Sequence, residues 1–335
     1  ILTESISFSL TIFLFSFLIP IFFKKNINYF LISIILVTGF YIRYDFIFFI
    51  IPIGLILFIN FNLKLFIKNS IIISIISILL VSPYIYRNYN LGLTLVPPTQ
   101  IGLHLDGGRK SPKGYVSWIS TWSYTNYMYA NALYPTDYGD YSNIVISEKA
   151  YFNNNQKKLI NTYLDELKEY KYQPIPLKID NEFKKIAEFN KKNYSTYVYI
   201  ILPLKRFISL WLNPVTSLGL PGSFNNNSIN LEYFIDLNLK EKFNFITENL
   251  LSIIIKIINF LYRFVLLFIF GLIFYQTYKK NIENIKSILY FVASYFILKN
   301  LFLIFTIYTA TRHIISSAIL IEILIIAFIL RKKII

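Results

Sequence analysis

Arg43 and Asp45 stand one residue apart between two apolar runs. In apolar surroundings such a pair either neutralises itself or holds a charged substrate group, and an intramembrane Arg points to function. Two more cationic places follow: Arg87, within Ser82-Pro83-Tyr84-Ile85-Tyr86-Arg87-Asn88, and the adjacent pair Arg312 and His313. Arg suits bidentate phosphate recognition, and His donates or relays a proton near neutral pH. Glu4 lies at the depth expected for Arg43, where it can pair with that cation or act as a base. The set predicts a cationic rim of Arg43, Arg87, Arg312 and His313 for a lipid-borne phosphate or diphosphate, with Glu4 and Asp45 in support. Each member also has a plainer reading. The Arg43 and Asp45 pair can anchor a hairpin at the headgroups, Arg87 can be an interfacial anchor, and His313 a satisfied interface residue.

These residues need a membrane bundle to position them. The chain has 335 residues, 55% of them hydrophobic, and a mean hydropathy of +0.52, outside the range of ordinary soluble domains. Apolar runs recur at the length that crosses a hydrocarbon core of roughly 30 Å. Lys24-Lys25, Lys64 with Lys68, Lys279-Lys280 with Lys286, and Arg331-Lys332-Lys333 occupy alternate gaps. Cytoplasmic lysines place every candidate residue on the outer side. The predicted fold is an all-α polytopic membrane bundle of about seven membrane-embedded segments with a mixed extracytoplasmic segment.

Three regions follow: membrane helices over 1–87, an extracytoplasmic segment over 88–247, and membrane helices over 248–335. Runs 28–42 and 46–61 form a short hairpin with Arg43-Tyr44-Asp45 at its tip. The fourth span covers about 69–86, with Pro83 near its end as a terminator. Gly, Pro, Trp and Tyr over 88–140 predict loops with short strands or turns. Over 147–193 the texture is helical, with Leu159, Tyr163, Leu164 and Leu167 on one stripe, broken at Pro174 and Pro176. Residues 194–212, with Lys205, Arg206 and Trp211, suit a helix lying in the interface. In the last hairpin Lys299 and Glu322 lie about nine residues either side of the turn, roughly 13–14 Å deep, and are predicted to pair.

Several pieces together resemble a known family. They are Leu2-Thr3-Glu4 in a span, Gly39 to Arg43 with an acid two positions on, and Pro83-x-x-x-Arg87-Asn88-Tyr89-x-x-Gly92. Gly102, Gly107-Gly108 and a final Arg312-His313 hairpin complete the pattern. This is similar to the polytopic GT-C glycosyltransferases related to the dolichyl-phosphate-mannose protein mannosyltransferases. The resemblance implies sugar transfer from a polyprenyl-phosphate donor to a glycan, lipid or protein acceptor, at the outer face of a bacterial inner membrane. It implies a catalytic Asp in a loop upstream of Ile1, leaving Glu4 and Asp45 as supporting residues and Arg312 and His313 facing the phosphate leaving group. The chain opens on Ile1 inside an apolar run, so a preceding segment is expected.

Other classes fit less well. The net charge of +15 sits largely on the flanks of apolar runs, so nucleic acid is not an expected partner. With no cysteine and two histidines, disulfides, thiolate chemistry and a multi-histidine metal site are excluded. No cofactor or metal is expected. A transporter or flippase of a lipid-linked or anionic substrate is the main rival; a non-catalytic assembly subunit is the second.

Overall fold

The computed structural model describes residues 2–25, 27–91, 112–137, 139–213, 238–248, 250–305 and 314–331. All regular structure among them is helical, with no strand. In order these are α1 (Leu2–Phe22), α2 (Tyr29–Ile42), a 3-10 turn (Tyr44–Phe49), α3 (Ile50–Asn60) and α4 (Leu63–Asn90). Next come α5 (Lys113–Ile119), α6 (Asn126–Asp137), α7 (Asn154–Leu167), α8 (Leu177–Asn193) and α9 (Leu202–Leu212). The last four are α10 (Leu239–Glu248), α11 (Leu250–Lys279), α12 (Glu283–Phe305) and α13 (Ile315–Leu330).

Asparagine, abundant here, starts several helices. Asn28, Asn62 and Asn153 each accept the backbone N–H three residues on, at 3.1, 3.0 and 2.8 Å. These bonds satisfy donors that the first helical turn leaves open.

Helices α1, α4, α11 and α12 are long and apolar enough to cross a membrane; α2, α3 with its preceding turn, and α13 are apolar but shorter. Only 11% of the most apolar window of α4 and 22% of that of α11 is buried inside the protein. Such surfaces suit a lipid solvent, since water would meet rows of side chains such as Phe58, Ile78, Leu79 and Phe268. The four long helices are therefore compatible with an integral membrane protein.

The chain divides into two compact units. The first comprises Ile1–Pro97, Trp211–Asn300 and Thr311–Ile335. Within it α2 packs on α1 and α4, α3 on α1 and α4, and α13 on α1 and α11. Near its lysine-rich end Ser287 Oγ donates to Asn60 Oδ1 at 2.9 Å, and the Tyr29 hydroxyl donates to Asn69 Oδ1 at 2.7 Å. Helix α4 runs on to Asn90 rather than ending at Pro83. Proline cannot donate to the carbonyl four residues back. The Ser82 hydroxyl takes that place, donating to Leu79 O at 2.9 Å, so the helix passes through.

The second unit comprises Pro98–Leu210 and Leu301–Ala310. Its described part is helical where the sequence suggested loops with strands. Tyr115, Trp118, Trp122 and Phe183 form an aromatic centre between α5 and α8. Asp180, one turn into α8, caps α5 by accepting Gly114 N at 3.0 Å and Tyr115 N at 2.8 Å. Helix α7 buries Ile160 and Leu167, whereas Leu159 is 42% exposed. Tyr163, Leu164 and Leu167 of the expected stripe do pack on this core, and Ile160 takes the place of Leu159. The break falls as expected, with Pro176 capping α8.

Candidate functional site

Backbone geometry at the end of α2 creates the site. Arg43 leaves the helix in an extended conformation while its N–H still bonds Gly39 O at 2.7 Å. The chain then tightens into the 3-10 turn, where Phe46 N donates to Arg43 O at 3.2 Å. This reversal lays the Phe46 ring on Gly39, where an added Cβ would come within 2.2 Å of it. Glycine is required there for close approach. Phe49 stacks on Tyr295 of α12 with ring centroids 4.1 Å apart, which fixes the turn against that helix.

The result is a buried ion cluster. Asp45 is 6% exposed and Lys299 1%. Lys299 Nζ donates to Asp45 Oδ2 at 2.7 Å, and Arg43 Nε donates to Asp45 Oδ1 at 3.4 Å. Lys299 also donates to the Tyr295 hydroxyl at 3.3 Å and to Ser316 Oγ. Tyr295 and Ser316 share a hydrogen bond of 2.8 Å. Beside them Ser317 Oγ is buried with no hydrogen-bond partner among the described residues.

The expected pair of Lys299 with Glu322 is not formed. Glu322 instead accepts from the Tyr262 hydroxyl on α11. Equal depth is not enough, because a pair also needs a shared face. Glu322 follows Ser316 by six residues, a rotation of about 240° on a helix of 3.6 residues per turn. Ser316 faces α12 and Glu322 faces α11.

The other candidates are placed as follows. Arg87 is exposed on the last turn of α4. Glu4 lies in the first turn of α1, and its side chain is outside the described set. Arg312 and His313 lie outside the described residues. The tip of the hairpin is not a water-facing anchor, since Asp45 is buried and bound to α12. The sequence does not reveal that Lys299 pairs with Asp45 or that Tyr295 and Ser316 hold Lys299. The available signal was the spacing of Tyr295 and Lys299, which places both on one helix face.

An apolar cleft of about 410 Å³ lies between α2, α3 and α4. Phe46 and Ile47, the residues directly after Asp45, form part of its wall, with Ile50, Gly54, Ile73 and Ser74 among the others. Space stays open at Gly54, where an added Cβ would meet nothing within 4 Å.

Within the 194–212 stretch, Arg206 and Trp211 are buried rather than exposed. Arg206 is 3% exposed and donates to Ser123 O, Ile304 O and Ser120 O at 2.9, 2.9 and 2.6 Å. Burial lowers its pKa to about 10. Trp211, in the first unit, donates to Asn300 Oδ1 at 2.7 Å. The outward side of this region carries Tyr199, Ile200, Leu204 and Ile208. Among the described residues no group of three or more His, Cys, Asp or Glu side chains is placed to hold a metal. The chain matches no family model, no curated protein and no solved structure, so its chemistry is read from these residues alone.

Proposed function

We propose that this chain is a polytopic glycosyltransferase of the GT-C type, moving a sugar from a polyprenyl-phosphate donor to a glycan, lipid or protein acceptor. In this reading seven segments are membrane-embedded, and the site faces outward from a bacterial inner membrane. The observation that carries it is that one turn supplies, in consecutive residues, a member of an ion cluster and the wall of an apolar cleft. Arg43 and Asp45 belong to the cluster, and Phe46 and Ile47 line the cleft. A molecule with a charged head and a hydrocarbon tail matches such a junction. A polyprenyl phosphate has that form.

The chemistry is direct displacement at the anomeric carbon. The acceptor oxygen bonds to that carbon as the bond to the phosphate oxygen breaks, and the acceptor proton passes to a carboxylate. In the family resembled, that carboxylate is an Asp of an external loop. Asp45, held by Lys299 and Arg43, positions cations rather than accepting the proton. Arg43, with Arg312 and His313, stabilises charge developing on the departing phosphate. Arg87 contacts headgroups at the same side. The outward apolar residues Tyr199, Leu204 and Ile208 suit a helix lying on the lipid surface.

One observation favours the transporter reading. The apolar helix is interrupted between α2 and α3, as helices are at many transport sites. Gly54→Phe separates head from tail recognition. Filling the cleft is expected to lower affinity for a polyprenyl-phosphate sugar by about tenfold or more, with helical content unchanged. Unaltered affinity in a folded Gly54→Phe protein would falsify the assignment of the cleft to the lipid tail.

A further inference from the structure

Three cations of the second unit converge on two tyrosines. A single π turn, Tyr197–Ile201, leads into α9. Lys205 follows Tyr197 by eight residues, which an α-helix would set about 80° apart. The residue that a π turn inserts takes back about 100°, so both come to one face. Lys205 Nζ lies 5.1 Å from the centre of the Tyr197 ring and 5.5 Å from that of Tyr124. A lysine anchoring at headgroups extends its ammonium into water; this one is held over two rings. Lys149 Nζ reaches Tyr124 as well, donating to its hydroxyl 5.0 Å from its ring centre. Burial raises the pKa of the Tyr197 hydroxyl, Tyr124 adds to the rise, and the charges of Lys149 and Arg206 oppose it.

No carboxylate balances this group. Arg206 is buried and its hydrogen bonds go to carbonyls. Among the described residues neither Lys205 nor Arg206 has an ion pair, and Glu148, next to Lys149, is held by Lys157 at 2.7 Å. A spare donor sits at the same place. Ser123, whose carbonyl accepts Arg206 Nε at 2.9 Å, is 0% exposed, and its hydroxyl is buried with no hydrogen-bond partner. Buried polar groups are nearly always paired. Uncompensated cations with an unused donor call for an anionic, acceptor-rich ligand. The rings add a second requirement. Phe152 meets Tyr197 edge-on at 5.5 Å and stacks on Tyr194 at 4.5 Å, and all three, like Tyr124, are partly exposed. The electron-rich faces of such rings suit the C–H groups of a pyranose.

We propose that Lys149, Lys205 and Arg206, walled by Tyr124 and Tyr197, bind the carboxylate of an acidic sugar, so that the acceptor of the transfer is an acidic glycan. The role as acceptor site rests on the glycosyltransferase reading; the binding does not. The two ammoniums meet the carboxylate, the buried Arg206 adds charge behind them, and the Ser123 hydroxyl supplies a directional donor.

The test uses the full-length protein in phosphatidylcholine nanodiscs, without sugar donor, and follows tryptophan fluorescence on titration. Oligogalacturonate is compared with a neutral galacto-oligosaccharide of equal length and with phosphatidylglycerol added to the bilayer. Wild type is expected to bind the acidic sugar at least about tenfold more tightly than the neutral one. Lys149→Gln combined with Lys205→Gln should abolish that preference. Ser123→Ala should weaken binding while the unliganded protein unfolds no earlier, because that hydroxyl makes no hydrogen bond within the described residues. Equal binding of acidic and neutral sugars, or an unchanged preference in the double lysine variant, overturns the site. A response to phosphatidylglycerol alone does so too and makes the patch a lipid contact. Early unfolding of Ser123→Ala overturns the assignment of its hydroxyl to a ligand. If sugar transfer is absent but the lysine-dependent binding persists, the transferase reading fails and the acidic-sugar site stands.

Discussion

Breaking the Lys299 and Asp45 pair should produce an asymmetric loss of stability. Asp45 keeps Arg43 when Lys299 is removed, at 3.4 Å. Lys299 keeps only the hydroxyls of Tyr295 and Ser316 when Asp45 is removed. Removing one partner of a buried pair costs about 3–5 kcal/mol, because the other charge remains in low dielectric. Asp45→Asn should therefore fall near the upper end and Lys299→Met near the lower, lowering Tm on the order of 5–15 °C. The double variant should recover much of this loss, with a coupling energy of about 2–3 kcal/mol. Lys299→Met combined with Glu322→Gln should be additive within about 0.5 kcal/mol. Thermal or denaturant unfolding in detergent reads both cycles. Strong coupling to Glu322 with none to Asp45 would refute the pairing and return the hairpin to the arrangement its sequence suggested.

Other expectations concern the second unit. Gly114→Ala should destabilise it strongly and expose it to protease, because the new Cβ would lie 1.8 Å from Asp180 O, a backbone atom that cannot step aside. The Tyr115 hydroxyl, buried and donating to Ala132 O at 2.9 Å, has its pKa raised by burial, with smaller effects from Tyr141 and Tyr151. The stability linked to this group is therefore complete below the unfolded value near 10 and declines as pH rises above it. Tyr115→Phe should cost about 1 kcal/mol at neutral pH and flatten the alkaline decline. An unchanged alkaline slope would contradict that assignment.

Local rules carried the sequence reading a long way. Apolar runs mark the long helices, and Pro174 with Pro176 marks the gap before α8. The failures came from pairings that local rules cannot reach. Pro83 looked like a stop, but Ser82 supplies the missing donor from within the same turn. The burial of Arg206 is not legible locally, because its three acceptor carbonyls lie 83, 86 and 98 residues away in sequence. Matched depth points Lys299 to Glu322 in the sequence. Helix rotation, which depends on how α12 and α13 pack, chose Asp45. The ion cluster is thus legible as residue types at Arg43 and Asp45 but not as a set with Tyr295, Lys299 and Ser316.

The most direct test of the whole account is turnover of a labelled polyprenyl-phosphate sugar by the full-length protein in proteoliposomes, with lipid translocation measured in parallel. Transfer to acceptor is expected for wild type, reduced at least about a hundredfold by Arg43→Ala and by Arg312→Ala, with membrane insertion intact. Translocation of the lipid without any sugar transfer, or full transfer by folded Arg43→Ala, would contradict it.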